Sequence, residues 1–328
     1  MSCVTPEPVR VAVLGLGSIG LRHARNLLAL SATVTGFDPE PERRALLAAA
    51  GGTSVASRDA ALDDVAAAVI ASPNACHLDD LAAALDAGCH VMVEKPLAHT
   101  ADGLERLLAL AQERSLTVFV AHNLRVHPCV RAAKVALDDG VLGDVLWSRM
   151  IASSYLPHWR PAQDYRAGYT ADPRTGGAMF DFIHEFDLAA YLLGPFETVA
   201  AAARRSGTLE IDAEDCADAI LRHERGVLTN LHLDYVTRPA CRATEVAGTA
   251  GIIRLDLAER RLWRFNTAGE AVEDRSFGGE QADDYVTVMK SFLACLAGEA
   301  KPSCDGWEAF AVLQQVLKAR ALAGLPQG

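Results

Sequence analysis

Several features that mark other classes of protein are absent from this sequence. No segment approaches the ~20 uninterrupted apolar residues that a transmembrane helix requires. Lysine and arginine form no run, and the 31 basic residues are outnumbered by 42 acidic ones, which gives a formal net charge of −11. An acidic balance without a run of basic residues argues against a protein that coats nucleic acid or a membrane surface. We therefore expect neither nucleic acid nor a membrane as a partner.

Cysteine is present, but it lacks the spacing of a disulfide framework or a zinc site. The eight cysteines are scattered over the chain, with no C-x-x-C pair and no cluster with histidine. We expect reduced and mostly buried thiols, and no metal site. The first eight residues have neither a basic start nor an apolar run, so no signal peptide is predicted and a cytoplasmic protein is expected.

What the sequence does contain is the composition of a large globular protein. Half of its 328 residues are hydrophobic, and the length allows two domains. In residues 1–122, short apolar runs alternate with longer amphipathic stretches, a pattern typical of βαβ units and a parallel sheet. The predicted strands are 9–14, 33–37, 66–71, 89–93 and 117–121, and the predicted helices are 19–30, 41–50, 75–87 and 100–114.

A G-x-G-x-x-G motif follows the first predicted strand and opens the first predicted helix. Gly15 permits a tight turn, Gly17 lets backbone approach a pyrophosphate, and Gly20 allows the helix to pack closely on the strand. Ser18 precedes the predicted helix and Ile19 begins it, and the free N–H groups and positive dipole end of this helix suit phosphate. The motif in this context predicts a dinucleotide site.

Asp38 indicates which dinucleotide is bound. It ends the second predicted strand, 18 residues after Gly20, where a carboxylate can accept the ribose hydroxyls and repel a 2′-phosphate. Pro39 follows it, and the nearest arginines, Arg43 and Arg44, lie in the next helix. The sequence therefore favours NAD over NADP.

Two more motifs stand at the carboxyl ends of predicted strands, where open α/β sheets bind their ligands. The first comprises Ser72, Pro73 and Asn74, with His77 one turn later, and the second is Glu94-Lys95-Pro96. A single lysine at a strand end is usually an exposed charge. Within this motif we expect Lys95 to face the cofactor crevice.

These motifs resemble the Gfo/Idh/MocA family of oxidoreductases, which includes glucose–fructose oxidoreductase and inositol dehydrogenase. The resemblance rests on the glycine motif, on the Ser-Pro-Asn and Glu-Lys-Pro segments, and on the segment 176–187, which reads GGAMFDFIHEFD. It implies that Lys95 contacts the reacting hydroxyl and the nicotinamide, and that His184 exchanges the proton. It also implies that Arg125 lies near the substrate, that the Lys95–Pro96 bond is cis, and that the protein is a dimer or tetramer.

The sequence pattern changes at about residue 122, and residues 123–328 are predicted to form a second domain for substrate binding and oligomerisation. A helix is predicted at 129–139, and turn signals between the later runs indicate antiparallel strands. We expect a large, open, mainly antiparallel sheet with helices on one face. The predicted strands are 145–153, 198–204, 215–223, 227–236, 242–249, 251–257 and 260–266, and helices at 281–298 and 306–323 close the domain, the last of which is a candidate to pack back on the first domain.

The segment after Gly177 carries the expected proton chemistry. Asp181, His184 and Asp187 are spaced by three, which would place them on one helical face. A carboxylate beside an imidazole can fix its tautomer and raise its pKa. Many members of the family carry the carboxylate four residues before the histidine, where this chain has Phe180, so a catalytic role for Asp181 stays open.

The loop at 155–175 is rich in aromatic residues and arginine. Aromatic faces stack on sugar rings, and guanidinium groups hold carboxylates or phosphates by two-point contacts. One interpretation is a substrate wall in which Arg160 or Arg166 binds an acidic or phosphorylated sugar. The other is a long surface loop with buried tyrosines. The candidate substrate residues are Arg125, Tyr155, Trp159, Arg160, Tyr165 and Arg166.

Together these patterns predict an NAD-dependent dehydrogenase or reductase that acts on a secondary hydroxyl of a sugar, cyclitol or sugar derivative. Lys95 and His184, with Asp181 as a further candidate, are the expected catalytic residues. One alternative is a nucleotide-sugar ketoreductase in which Tyr165 or Tyr169 gives the proton. A second is a non-catalytic NAD-binding regulator, although a sensor needs neither Lys95 nor His184.

Overall fold

The computed structural model describes residues 7–161 and 163–326. Their internal contacts divide them into two compact units. The first comprises residues 7–121 together with Gln281–Phe310, and the second comprises His122–Glu280 together with residues 311–326. The start of the chain, for which no signal peptide is predicted, lies mostly outside the described residues. No helix in the described ranges is long and apolar enough to cross a membrane.

The first unit is built on a parallel sheet. Its strand order is β3-β2-β1-β4-β5-β6, which is the doubly wound order of dinucleotide-binding domains. The strands are β1 (Arg10–Leu14), β2 (Thr33–Phe37), β3 (Thr53–Ser54), β4 (Ala67–Ile70), β5 (His90–Val93) and β6 (Val118–Val120). The helices between them are α1 (Ser18–Ala29), α2 (Pro41–Ala49), α3 (Arg58–Leu62), α4 (His77–Asp86) and α5 (Leu104–Glu113).

Burial explains why this sheet forms where it does. Every residue of β4 is buried, and β1 and β5 are buried except at their first residues, so both faces of the central strands are covered. The strand order reverses between β1 and β4, and the turns after β1, β4 and β5 therefore stand at the switch point where such sheets bind ligands. The short β3 and α3 had no counterpart among the predicted elements.

The second unit contains an eight-stranded sheet in the order β14-β13-β12-β11-β7-β10-β9-β8. Its neighbouring strands are antiparallel except β7 and β10, which run parallel. The predicted fold class is confirmed, and β14 is an additional strand. The elements are α6 (Pro128–Asp138), β7 (Val145–Ser153), α7 (Ala178–Asp181), α8 (Ile183–Leu193), β8 (Phe196–Arg204), β9 (Cys216–His223), β10 (Leu228–Asp234), β11 (Cys241–Gly248), β12 (Gly251–Asp256), β13 (Arg261–Phe265) and β14 (Ala271–Ser276).

The two faces of this sheet differ. In β10, Leu231 and Leu233 are buried whereas Leu228 and Asn230 are exposed, which is the alternation of a sheet covered on one face. Helices α6, α7 and α8 pack on the covered face. The other face carries Trp147 on β7, directly opposite Leu228, and both side chains are exposed.

The last two helices, α9 (Gln281–Leu296) and α10 (Gly306–Leu322), correct the predicted domain division. The sequence assigned all of residues 123–328 to the second domain, but α9 packs on α1 in the first unit. Phe292 on α9 meets Phe119 on β6 edge-on, and the backbone oxygen of Cys304 accepts the N–H of Val120. The division between the units falls within α10. Contacts this distant in sequence leave no local signal.

Candidate active site

The glycine turn after β1 has its shape because backbone segments approach closely there. A Cβ at Gly15, whose φ is +86°, would lie 2.5 Å from the backbone nitrogen of Ser72. A Cβ at Gly20 would lie 1.9 Å from the carbonyl oxygen of Gly15. At Gly17 the space is open, with the nearest atom 4.0 Å away on Arg43. No side chain caps α1, so the N–H groups at its start face this space, which fits a pyrophosphate.

Asp38 braces the same turn. Its carboxylate is buried, and it accepts the N–H of Leu16 at 2.8 Å and that of Glu40 at 3.0 Å, one on each oxygen. Each oxygen retains a second lone pair for a ribose hydroxyl. The guanidinium of Arg43 lies 3.5 Å from Oδ2, and Arg44 donates to the backbone oxygen of Asp38. The predicted ribose-binding residue is therefore also a structural tie.

His77 joins the turn after β4 to the turn after β5. One ring nitrogen lies 2.9 Å from the carbonyl oxygen of Ser72, and the other lies 2.8 Å from that of Pro96. Burial lowers the pKa of His77, and the two carbonyl contacts work against that shift. Asp80 accepts the Ser72 hydroxyl at 2.7 Å. The contacts of His77 within this unit hold two loops together, and its part in cofactor binding stays a prediction.

The turn after β5, which carries Lys95 and is called the lysine turn below, is anchored through Glu94. One carboxylate oxygen of Glu94 lies 2.6 Å from Nε2 of His23, and the other accepts the backbone N–H of Lys95 at 3.2 Å. Burial alone would raise the pKa of Glu94, but the His23 hydrogen bond, with the charges of His23 and Lys95, lowers it below its usual value. The predicted cis Lys95–Pro96 bond is confirmed.

The structure corrects the expected single helical face after Gly177. The helix breaks at Phe182, with φ −94° and ψ 27°, so Asp181 ends α7 while His184 and Asp187 belong to α8. Asp181 accepts hydrogen bonds from two tyrosine hydroxyls, Tyr169 at 2.8 Å and Tyr235 at 2.5 Å. Burial and the Asp181 charge raise the pKa of Tyr235 well above 10.

His184 lies in a buried polar cluster within the second unit. Its ring meets that of His122 edge-on, with centroids 5.5 Å apart. Nδ1 of His122 is 3.6 Å from a carboxylate oxygen of Asp187. Asp187 also accepts two-point hydrogen bonds from Arg125, at 2.7 to 3.1 Å. The guanidinium of Arg125 is therefore paired with a carboxylate, and its expected place near the substrate stays a prediction.

The aromatic loop forms an open pocket on the second unit. Trp159 donates from Nε1 to Ser154 at 2.7 Å, and its ring packs edge-on against Phe182 and Tyr235. Tyr155 stacks under the guanidinium of Arg238, 4.1 Å from its ring centroid. The pocket is lined by Leu156, Trp159, Arg160, Gln163, Asp164, Tyr165, Gly168 and Thr170.

The two candidate anion-binding arginines have different surroundings. Arg166 forms ion pairs with Asp164 at 2.8 Å and Glu210 at 2.7 Å, which offset its charge and raise its pKa. Arg160 instead lines the pocket. Anion binding by either arginine stays a prediction.

Two residues far along the chain from the Gly-Gly motif, Glu214 and Arg320, support it, and no local pattern in the sequence indicated them. A Cβ at Gly177 would lie 2.1 Å from the carboxylate of Glu214, which also accepts the N–H of Met179 at 3.2 Å. Arg320 donates to the same carboxylate at 3.2 Å, and both side chains are fully buried. Burial raises the pKa of Glu214, against the opposing charge of Arg320. Glu214 thereby holds the start of the segment that carries Asp181.

A doubly wound unit with this glycine turn, together with a second unit that buries histidines and carboxylates beneath an open sheet, defines a nicotinamide-dependent oxidoreductase. The chain belongs to the GFO/IDH/MocA family. Residues 9–122 match the family model described as "Oxidoreductase family, NAD-binding Rossmann fold", and residues 130–254 match "GFO/IDH/MocA C-terminal domain". The resemblance stated from the sequence is confirmed.

Among its relatives is a UDP-N-acetylglucosamine 3-dehydrogenase of Acidithiobacillus ferrooxidans, 26% identical over 95% of this chain and 96% of its own. A dTDP-3,4-didehydro-2,6-dideoxy-alpha-D-glucose 3-reductase of Streptomyces violaceoruber is 32% identical over 77% of this chain and 74% of its own. The WlbA dehydrogenase of Bordetella pertussis, solved with NADH and UDP-GlcNAcA, shares the fold, with a TM-score of 0.83 at 23% identity over 98% of this chain and 97% of that one.

Proposed function

We propose that this protein is an NAD-dependent dehydrogenase or reductase of a secondary hydroxyl or keto carbon in a sugar, cyclitol or sugar derivative. The observation that carries the proposal is the lysine turn at the switch point of the sheet. There Lys95 is fixed at the carboxyl end of β5 by the buried carboxylate of Glu94. Relatives named for sugar and nucleotide-sugar substrates support the same class.

In this proposal each of two residues has one task. Lys95 donates a hydrogen bond to the reacting oxygen and stabilises the charge that develops on it. His184 takes the hydroxyl proton during oxidation and returns it during reduction. The nicotinamide, when bound, accepts or supplies the hydride. The glycine turn and Asp38 would hold the dinucleotide, with NAD favoured over NADP because of the Asp38 carboxylate.

Turnover of two variants tests these roles. Lys95→Ala and His184→Ala should each lose at least ~100-fold in kcat while NADH affinity, measured by fluorescence, stays near that of the wild type. The assay follows NADH across free sugars, cyclitols, sugar acids and nucleotide sugars. Arg22→Ala, an exposed change on α1, serves as the control. Near-normal turnover in either test variant would remove that residue from the mechanism.

A nucleotide-sugar ketoreductase with a tyrosine acid is the second candidate, supported by the Streptomyces violaceoruber relative. The hydroxyl of Tyr169 already donates a hydrogen bond to Asp181, a geometry that suits support of the carboxylate. Tyr169→Phe and Tyr165→Phe should therefore keep turnover within about fivefold of the wild type, because catalytic proton donors contribute ~100-fold or more. A loss of that size in either variant would instead favour the tyrosine mechanism.

The regulator alternative predicts tight NADH binding without turnover on any substrate of the panel.

We propose further that Arg160 selects an acidic or phosphorylated substrate, because it lines the pocket whereas Arg166 is paired. Arg160→Ala should lower kcat/KM for anionic substrates and leave neutral ones unchanged. Equal loss for both classes would count against charge recognition.

We also propose that the exposed face of the eight-stranded sheet mediates a homodimer or homotetramer. Trp147 and Leu228 stand opposite each other on that face. Replacing both by charged residues should shift the mass measured by light scattering towards the monomer, and an unchanged mass would place the interface elsewhere.

A cytoplasmic location stays a prediction from the sequence, which cell fractionation tests.

A further inference from the structure

His23 occupies an unusual position for a polar side chain. It lies on α1, three residues after the last glycine of the turn, and it is completely buried. The ring of Tyr285 on α9 meets it edge-on, with centroids 6.1 Å apart. Among the described residues, its Nδ1 has no hydrogen-bond partner. Its single polar contact therefore lies at Nε2, on Glu94.

From Nε2 a short chain of contacts reaches the lysine. Nε2 lies 2.6 Å from Oε1 of Glu94, and Oε2 of the same carboxylate accepts the backbone N–H of Lys95 at 3.2 Å. Because Glu94 and Lys95 are adjacent, fixing the carboxylate fixes the peptide from which the lysine side chain starts. The 2.6 Å contact between His23 and the Glu94 carboxylate is a charge-assisted hydrogen bond, and such bonds are about twice as strong as those between neutral groups.

The negative charge of Glu94 strengthens both of its hydrogen bonds. The low pKa of Glu94 keeps it a carboxylate, which can accept both hydrogen bonds at once. Without a donor at position 23, the Lys95 amide would be the remaining hydrogen-bond donor to this buried carboxylate among the residues described, and burial would favour protonation of Glu94. A protonated or rotated Glu94 would release the Lys95 amide.

We propose that His23 is a positioning residue for Lys95, acting through Glu94, so that the helix that begins at the dinucleotide turn also sets the geometry of the lysine. This rests on the proposed function, in which Lys95 contacts the reacting oxygen. Displacement of a catalytic group by about 1 Å can cost as much as ~100-fold in rate, so the effect should appear in kcat.

Two variants separate positioning from general support of the fold. His23→Leu removes the donor, whereas His23→Gln places an amide N–H near the position of Nε2 and restores it. Arg22→Ala is the matched control, because Arg22 is exposed on the same helix, stacks on the same Tyr285, and has no hydrogen bond to Glu94 among the described residues. The full-length protein is used throughout.

Two readouts are measured for each variant. Hydrogen exchange of the Lys95 amide, in the peptide that spans the turn, reports the Glu94 contact without needing activity. Steady-state kcat and the NADH dissociation constant report its consequence. His23→Leu should exchange faster at Lys95 and lose about tenfold in kcat with NADH affinity within twofold, and His23→Gln should recover most of both.

Three results would overturn the proposal: unchanged exchange in His23→Leu, an exchange change without a change in kcat, or no recovery in His23→Gln although it folds. Failure of the proposed function would look different. In that case Lys95→Ala would itself keep full turnover, while the exchange readout would still respond to His23.

Discussion

Arg125 and Asp187 form a two-point ion pair, with hydrogen bonds of 2.7 to 3.1 Å, and both side chains are buried. Arg125 lies three residues before the start of α6, and Asp187 lies on α8, 62 residues further along the chain. The pair ties the start of the second unit to the helix that carries His184. The place of Arg125 near the substrate stays a prediction, and the pair with Asp187 fixes the direction of its guanidinium.

Breaking this pair should destabilise the protein. We expect Arg125→Met to lower the free energy of unfolding by about 3–5 kcal/mol, because it leaves the Asp187 carboxylate buried without its main partner. Urea unfolding measures the change. Arg10→Ala, which breaks the exposed pair with Asp64, should cost less than about 1 kcal/mol. Equal losses in the two variants would contradict the argument.

Gly177 and Gly194 provide a matched test of the Glu214 contact. Both have backbone angles open mainly to glycine, φ 92° and ψ 163° at Gly177 and φ 85° and ψ −178° at Gly194. Replacement by alanine should cost about 1–3 kcal/mol of backbone strain at each. Only at Gly177 does the new Cβ meet a buried carboxylate, so a further cost of about 1–3 kcal/mol is expected. Thermal unfolding of the two variants measures the difference, and equal stabilities would show that Glu214 can move aside.

Cofactor preference should depend on Asp38 and its neighbour Arg43. We expect the wild type to bind NADH more tightly than NADPH, and Asp38→Ala to reduce that preference about tenfold or more, a change of about 1.4 kcal/mol. Arg43 lies within reach of Asp38, so Arg43→Ala should weaken NADPH more than NADH. Arg44→Ala, which loses contacts to backbone oxygens, is the comparison. Fluorescence titration gives each dissociation constant, and a preference for NADPH in the wild type would reverse the assignment.

Glu94 should make stability depend on acidic pH. Its pKa in the folded protein lies below 4.5, so the carboxylate stabilises the fold above that pH, and this contribution is lost as the pH falls through the folded pKa. The difference in unfolding free energy between wild type and Glu94→Gln should therefore be largest at neutral pH and shrink below 4.5. Urea unfolding across this range measures it, with the exposed Glu42→Gln as control. A constant difference would mean that the carboxylate charge contributes nothing.

The glycine turn, the motif positions and every strand except β3 and β14 were predictable from the sequence. The predicted strands at 33–37 and 145–153 coincide with β2 and β7, because apolar runs and turn residues act over a few positions. The pairing of β7 with β10 could not be predicted in the same way. Sheet order joins strands about 80 residues apart along the chain, and no local pattern encodes it.

At the candidate site, too, local features were predictable from the sequence and long-range contacts were not. The sequence determined that Gly15, Asp38, Lys95 and His184 are present in segments of known local geometry. Only the tertiary structure decided which charges they face. The spacing predicted Asp181 and His184 on one helical face, but the helix breaks at Phe182, and Asp181 accepts hydrogen bonds from two tyrosines. His23 looked like one more helix residue until its partner, 71 residues away, was in place. Burial and long-range contact set these partnerships, and both exist only once the chain has folded.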